Sequence, residues 1–490
     1  MIIALTGLLV RRIFMQELSP EFLGYDGLFG NVFTLFSMSD LGISALISYR
    51  LYALFAEENY NKIGELIGAY GQIYKLVCII IIVLSLLFLP FVKVVVTGNN
   101  ISWNYIYCIY VLQVINTIST YLWGYRRILY EADQKNYICI RIDTLAGFCR
   151  DILRIITLIV LKNYIIYLVI GIAVNVCGNI VLYFKARKDY LRETIQKPDI
   201  RSVFDAKFIR EIKDNLIQRI SQTIYSSTDN ILISIFCGIT TVGIASNYSM
   251  ICSYVTSLIM KTTQPLQAAI GNYVYSEDRN AGQKLFHMFN VFGFFMGTIV
   301  ACEYFLLFNP VITLWLGKEF LLPTGYVLAF SLNQFIAWNQ YFISLFRNAF
   351  GNYDYDRKYS LYGAIFNIVC SVVFVKWWNV AGIMIGTCIG HMAFWIGRAN
   401  FMYTYYINSE KKVTYWTRQS IHVFIFGIEI LILSLISPII GFSVPACIVR
   451  GLLGIIVPFL TGQIIYFRNP IYRDLLGFIY STLTDFIGKK

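Results

Sequence analysis

Charge is what this sequence has least of. Asp, Glu, Lys and Arg make up 14% of its 490 residues, against about a quarter in soluble globular chains, so a water-facing surface around a modest apolar core is not what it encodes. Histidine is nearly absent, with His287, His391 and His422 as the full set, which argues against a histidine-built metal centre and against histidine acid–base catalysis. The cysteines stand singly, most of them in apolar runs such as those around Cys78, Cys149, Cys177, Cys302, Cys370 and Cys388, with no CxxC and no ligand-like spacing. They read as small packed hydrophobes, and neither a metal nor a cofactor is expected. A basic leader with a small-residue cleavage site is missing too, because the first apolar run meets Arg11 and Arg12; the first helix is expected to act as its own signal.

What is present is hydrophobic sequence. Apolar residues reach 57% and aromatics 17%, with a mean hydropathy of +0.62. Runs near the roughly 20 residues that cross a bilayer fall at about 1–16, 27–55, 68–92, 102–124, 142–161, 164–184, 214–237, 242–265, 285–308, 324–346, 359–378, 380–403, 419–438 and 444–467. The fold expected is all-α, a polytopic membrane protein of about 14 transmembrane helices. The first run is short, and an upstream part of that helix is expected. With the N-terminus in the cytoplasm, inner segments carry 27 of the 40 basic residues and outer loops carry 4, which predicts both termini inside. The net charge of +12 then reflects topology and not nucleic-acid binding.

Charges within the apolar runs are the informative exceptions. An ionisable side chain at membrane depth costs roughly 2.5 to 3.5 kcal/mol on insertion scales, so such groups face a bundle interior or a watery cavity and mark a substrate path. Arg11, Arg12, Asp40 and Arg50 lie in or beside the first two runs. Asp143, Arg150 and Arg154 share one face of the fifth helix. On the seventh, Asn215, Gln218, Gln222, Tyr225 and Asp229 follow 3, 4, 3, 4 spacing and form a polar stripe, with Arg219 beside it. Either the stripe lines a lumen or it joins helices by hydrogen bonds. Glu303 and Glu429 are isolated acids in apolar runs.

A shift of 219 residues sets Ser19, Leu23 and Gly24 on Gly238, Val242 and Gly243, and Glu58, Asn61 and Leu66 on Glu277, Asn280 and Leu285. One shift thus matches a turn at each end of two halves. The expected organisation is an N-terminal lobe (1–184), a basic cytoplasmic linker (185–213), a C-terminal lobe (214–403) and a final helix pair with a tail (404–490).

The run LGYDGLFGNVFTLFSMSDLGISALISYRLY, then KNYIIYLVIGI, then YSSTDNILISIFCG, resembles the polysaccharide flippase branch of the multidrug/oligosaccharidyl-lipid/polysaccharide (MOP) flippase superfamily. The resemblance implies two six-helix lobes around a central cavity, a further helix pair, and export of undecaprenyl-pyrophosphate-linked oligosaccharide across the bacterial plasma membrane. In the similar lipid II flippases arginines on the first two helices line the cavity, a pattern that would land on Arg11 or Arg12 and on Arg50. Arginine also suits an anionic lipid headgroup physically, because its fork binds phosphate bidentately. The expected substrate-binding set is Arg11, Arg12, Arg50, Arg150, Arg154, Arg219, Gln218 and Gln222, with Asp229 as the candidate coupling carboxylate for H+ or Na+. The mechanism expected is alternating access, with membrane lipids as further partners. The alternatives are a cation-coupled multidrug exporter of the same superfamily, which should carry an acidic cavity, and a membrane glycan polymerase or ligase, which should carry a large outer loop.

Overall fold

The computed structural model describes residues 2–37, 43–190, 206–263, 266–267, 270–271, 279–349 and 354–488. The described residues are helical and contain no strand. Asp40, Gly42, Pro265 and most of the 185–213 linker lie outside the described residues, as do the side chains of Gln218 and Arg219. Eight helices among the described residues are long and apolar enough to cross a membrane. By compactness the chain divides into two units, Met1–Ser246 and Asn247–Lys490.

Unit 1 begins with α1 (Ile2–Glu17) and α2 (Pro20–Phe36). The second helix starts earlier than its apolar run suggests, because Ser19 is an N-cap whose hydroxyl accepts from Glu21 N and Pro20 follows at the first helical position. The second apolar run is also two helices, α2 and α3 (Ile43–Ala56). Next come α4 (Tyr60–Phe88), prolonged by turns to Val95, then α5 (Trp103–Gly124), the short α6 (Arg127–Ala132), α7 (Tyr137–Val160) and α8 (Tyr164–Tyr190). The unit closes with α9 (Ala206–Cys237) and the start of α10 (Ile239–Thr263). α7 is not among the eight apolar helices; Arg141, Asp143, Arg150, Asp151 and Arg154 make it too polar for lipid, so it needs α1 and α8, which pack on it.

The tightest junction in unit 1 joins the α1–α2 turn to the α9–α10 turn. A Cβ on Gly24 would collide with Ile239 O, and one on Gly243 with Pro20 O. Under the 219-residue shift Pro20 maps to Ile239 and Gly24 to Gly243, so the two collisions are one contact made twice with roles exchanged. The segment after α4 completes the junction. Thr97 O accepts from Ile239 N at 2.9 Å, Ser234 Oγ donates to Val95 O at 2.7 Å, and Gly238 sits at φ +90. Buried Glu21 accepts from Asn100 Nδ2 at 2.6 Å.

Unit 2 is organised on α11 (Arg279–Trp315), which packs against α12 (Thr324–Ala349), α15 (Lys412–Ile436), α16 (Val444–Tyr466) and α17 (Pro470–Gly488). Between them lie α13 (Asp354–Trp378) and α14 (Val380–Tyr405), which pair closely. The core is aromatic, with Phe335 stacked on Phe426 at 4.6 Å and Phe289 on Phe342 at 5.7 Å. The tail after the last apolar run is a helix: α17 lies against α11, with Lys284 Nζ 2.9 Å from Asp474.

Gly24→Ala or Gly243→Ala is expected to destabilise the detergent-solubilised protein by about 1–3 kcal/mol or more, because backbone and not a movable side chain blocks the added carbon. Gly30→Ala, with nothing within 4 Å of its Cβ position, is the control and should be neutral or slightly stabilising. Thermal unfolding of the three variants measures the difference.

Candidate functional site

Two chambers lie inside unit 1. The smaller, of about 350 Å³, is lined by Arg11, Leu23, Asp26, Gly27, Gln113, Asn116, Arg154, Leu168, Gly171, Ile172, Asn175 and Ser246. The larger, of about 590 Å³, is walled by Tyr70, Tyr74, Tyr121 and Tyr125, by Arg127, Glu131, Asp143 and Arg150, and by Asn175 and Asn179 among others. Both volumes lie in the range of small-molecule sites. Asn175 borders both.

Asp26 is the centre of the smaller chamber. α2 carries it there, and its Oδ1 accepts from Tyr164 OH at 2.8 Å and from Gln113 Nε2. Arg154 and Arg11 are the cations whose charge acts on it. The Arg154 guanidinium lies 4.2 Å over the Tyr167 ring and against Gly171, where a Cβ would collide with it. Its Nε is buried and without a hydrogen-bond partner. Arg11 Nη1 donates to Ser246 Oγ at 3.3 Å. Thus one acid and two guanidiniums line the same chamber, and one guanidinium keeps an N–H in reserve.

The larger chamber is differently built. Tyr70 OH donates to Tyr74 OH at 2.6 Å, and the Tyr121 and Tyr125 rings lie 5.4 and 6.1 Å from that of Tyr74. Arg127 Nη2 bonds Asp143 Oδ1 at 2.6 Å, and Arg150 lies 3.4 Å from Asp151, which also accepts from Thr6 Oγ1 at 2.6 Å. Burial raises the Glu131 carboxyl above its ordinary range, against the pull of Arg127. Four arginines and three acids line the two chambers together, so their charge is nearly balanced.

Of the residues singled out from sequence, Arg11 and Arg154 meet in the smaller chamber and Arg150 lines the larger. Asp143, Arg150 and Arg154 put one face of α7 along both. Arg12 and Gln222 are exposed and line neither chamber, and Arg50 and Asp229 are half-buried and line neither. Beside Asp229, Asn230 Nδ2 donates to Gly27 O at 3.4 Å. Gln218 and Arg219 lie outside the described side chains.

Sequence reasoning missed Asp26 and two helical stripes. Gln113, Asn116, Thr120 and Gly124 follow 3, 4, 4 spacing on α5, and Gly171, Asn175 and Asn179 follow 4, 4 on α8. The same periodicity that marks α9 was available for both.

No family model and no curated protein matches the chain. Its fold is similar to solved structures. "Lipid II flippase MurJ, inward closed conformation" superposes with a TM-score of 0.71 at 13% identity, over 97% of this chain and 98% of the other. An inward-facing "multidrug resistance MATE family transporter of the MOP superfamily" gives 0.62 at 13% identity, over 80% and 92%. "MATE in complex with MaD3S" gives 0.53 at 14% identity, over 81% and 91%. The chain therefore has the polytopic, all-α fold of these membrane flippases and transporters.

Asp26→Ala is expected to destabilise the protein more than Asp26→Ala combined with Arg154→Ala, because the single change strands a desolvated guanidinium. In a double-mutant cycle read by thermal unfolding the coupling should fall between about 0.5 and 3 kcal/mol.

Proposed function

We propose that the protein is a transporter and not an enzyme, a flippase that carries undecaprenyl-(pyro)phosphate-linked oligosaccharide from the cytoplasmic to the outer leaflet of a bacterial plasma membrane. Both termini would lie in the cytoplasm, and alternating access would move the headgroup while the polyprenyl tail stays in lipid. The observation that carries this reading is the smaller chamber, lined by Arg11, Arg154 and one acid, in which Arg154 retains a buried, unbonded Nε–H. A phosphate entering there would meet two guanidiniums able to bind it bidentately, with Asp26 as the acid whose charge competes for them. Tyrosines and amides of the adjoining chamber suit the hydroxyl-rich sugars. Asp229 remains the proposed coupling group for H+ or Na+, and Arg12, Arg50 and Gln222 would contribute from outside the chambers.

The near-balance of charge, with a carboxylate at the centre, favours one rival, a cation-coupled multidrug exporter. The two readings separate in cells lacking the transporter. Arg11→Ala and Arg154→Ala should each reduce surface glycan at least roughly tenfold, the scale of one lost charge-assisted contact, at unchanged protein level. Full glycan export by both variants, or wild-type protein that restores drug resistance and no glycan, would discard the flippase reading.

A further inference from the structure

α15 and α16 are held to α11 by a seam of polar groups in an otherwise apolar surface. Glu429 on α15 is fully buried; Thr461 Oγ1 on α16 bonds its Oε1, and its Oε2 has no hydrogen-bond partner. On α11, Glu303 places its carboxyl against Gly454 of α16, where an added Cβ would come within 2.7 Å of Oε1, and that buried oxygen also has no partner. Both carboxyls lie within electrostatic range of Cys302. No salt bridge reaches either of them among the described residues.

Two features of α16 suit neutral acids and not carboxylates. Thr461 has one hydroxyl hydrogen but three acceptors around it, since Val457 O and Pro458 O lie at 3.1 Å as well as Glu429 Oε1. If Glu429 supplies its own hydrogen to Thr461 Oγ1, the threonine hydrogen is free for Val457 O, and what stays unpaired is the Oε2 acceptor, which costs less on a neutral carboxyl than on a carboxylate. In addition, Pro458 stands inside α16 and removes the N–H that would bond the Gly454 carbonyl. Glu303 lies beside that same Gly454, and only in its protonated form would it carry a hydrogen to offer there.

The other titratable or charged groups on the packed helices do not offer a counter-charge. Arg450 on α16 gives its Nη groups to the carbonyls of Leu306 (3.4 Å), Ser437 (2.7 Å) and Ile440, and although its Nε is unbonded it makes no salt bridge to either acid. His422, two turns from Glu429 on α15, is bonded to Gln419 Oε1 at 3.1 Å and to Tyr466 OH. Cys302 and Tyr304 of α11 and Cys447 of α16 carry no positive charge. An unpaired carboxylate here would bear the full cost of a charge removed from water, and such a group takes up a proton instead.

We propose that the seam where α15 and α16 pack on α11 is a proton-binding site, in which Glu429 and Glu303 each hold an exchangeable proton. Release of either proton leaves a bare charge in the seam, so exchange accompanies loosening of the helix pair from α11. Proton occupancy thereby reports, and biases, how firmly the pair is docked.

The test uses dicyclohexylcarbodiimide, an apolar reagent that modifies only protonated carboxyls, on the full-length protein, with adducts located by peptide mass spectrometry. At neutral pH Glu429 and Glu303 should be labelled, whereas Asp143 and Asp151, held by Arg127 and Arg150, should not. Labelling should then fall roughly tenfold per pH unit above each group's midpoint while the protein stays folded. Absence of label at neutral pH, or label that stays constant up to the pH of unfolding, overturns the proposal. Glu429→Gln and Glu303→Gln keep the shape of the neutral acid and should leave the Tm unchanged; a large drop would mean that charged forms hold the seam and would equally overturn it. Neither readout depends on what the protein transports.

Discussion

Pro20 O pressed on Gly24's counterpart Gly243, and Ile239 O pressed on Gly24, make a contact that a single methyl group on either helix would prevent. Backbone-to-backbone approach of this kind is how membrane helices gain packing energy when lipid removes the hydrophobic drive between them. Here it fixes where α2 meets α9 and α10, and everything placed by α2 follows. Asp26 is two residues beyond Gly24, and Gly27, facing Asn230, is one further. The position of the acid among the arginines is thus set by a glycine half a turn away.

The two chambers divide the chemistry of unit 1. Near Asp26 the neighbours come from four helices, two of them charged: Arg11 from α1, Gln113 from α5, Arg154 from α7 and Tyr164 from α8. Either arginine alone would be costly at membrane depth; here Arg154 lies over the Tyr167 ring and Arg11 donates to Ser246 Oγ, and the charge of both acts on Asp26. In the larger chamber ion pairs are closed locally, Arg127 with Asp143 and Arg150 with Asp151, which leaves tyrosine, asparagine and glycine as the main surface. An anion entering the smaller chamber must therefore compete with Asp26, whereas a neutral, hydroxylated group entering the larger one displaces no ion pair.

Long apolar runs made the helical membrane fold readable before any coordinates, and the last run, 444–467, nearly coincides with α16. The end of α2 at Phe36 was not read, although Ser37, Ser39, Asp40 and Gly42 interrupt the apolar run there. Nor was α17, whose mixed polarity resembles a tail until Asp474 meets Lys284. Among site residues, neighbouring positions on a helix point roughly 100° apart, so Arg11 and Arg12 could not both face one chamber, and sequence had no means to choose between them. Asp26 escaped because it is one acid in a run of Leu, Gly, Tyr and Phe, and its partners lie 87 and 138 residues away. The weak repeat was legible at the turn of Gly24 and Gly243, where backbone proximity allows glycine and nothing larger, and faint in the helices, where lipid accepts any apolar side chain.

Asn175 is the residue shared by the linings of both chambers. A carboxamide presents an N–H2 to one side and a C=O to the other, and a half-turn of its terminal torsion exchanges them without moving the helix. From either chamber Asn175 therefore offers a group that can meet a donor or an acceptor alike.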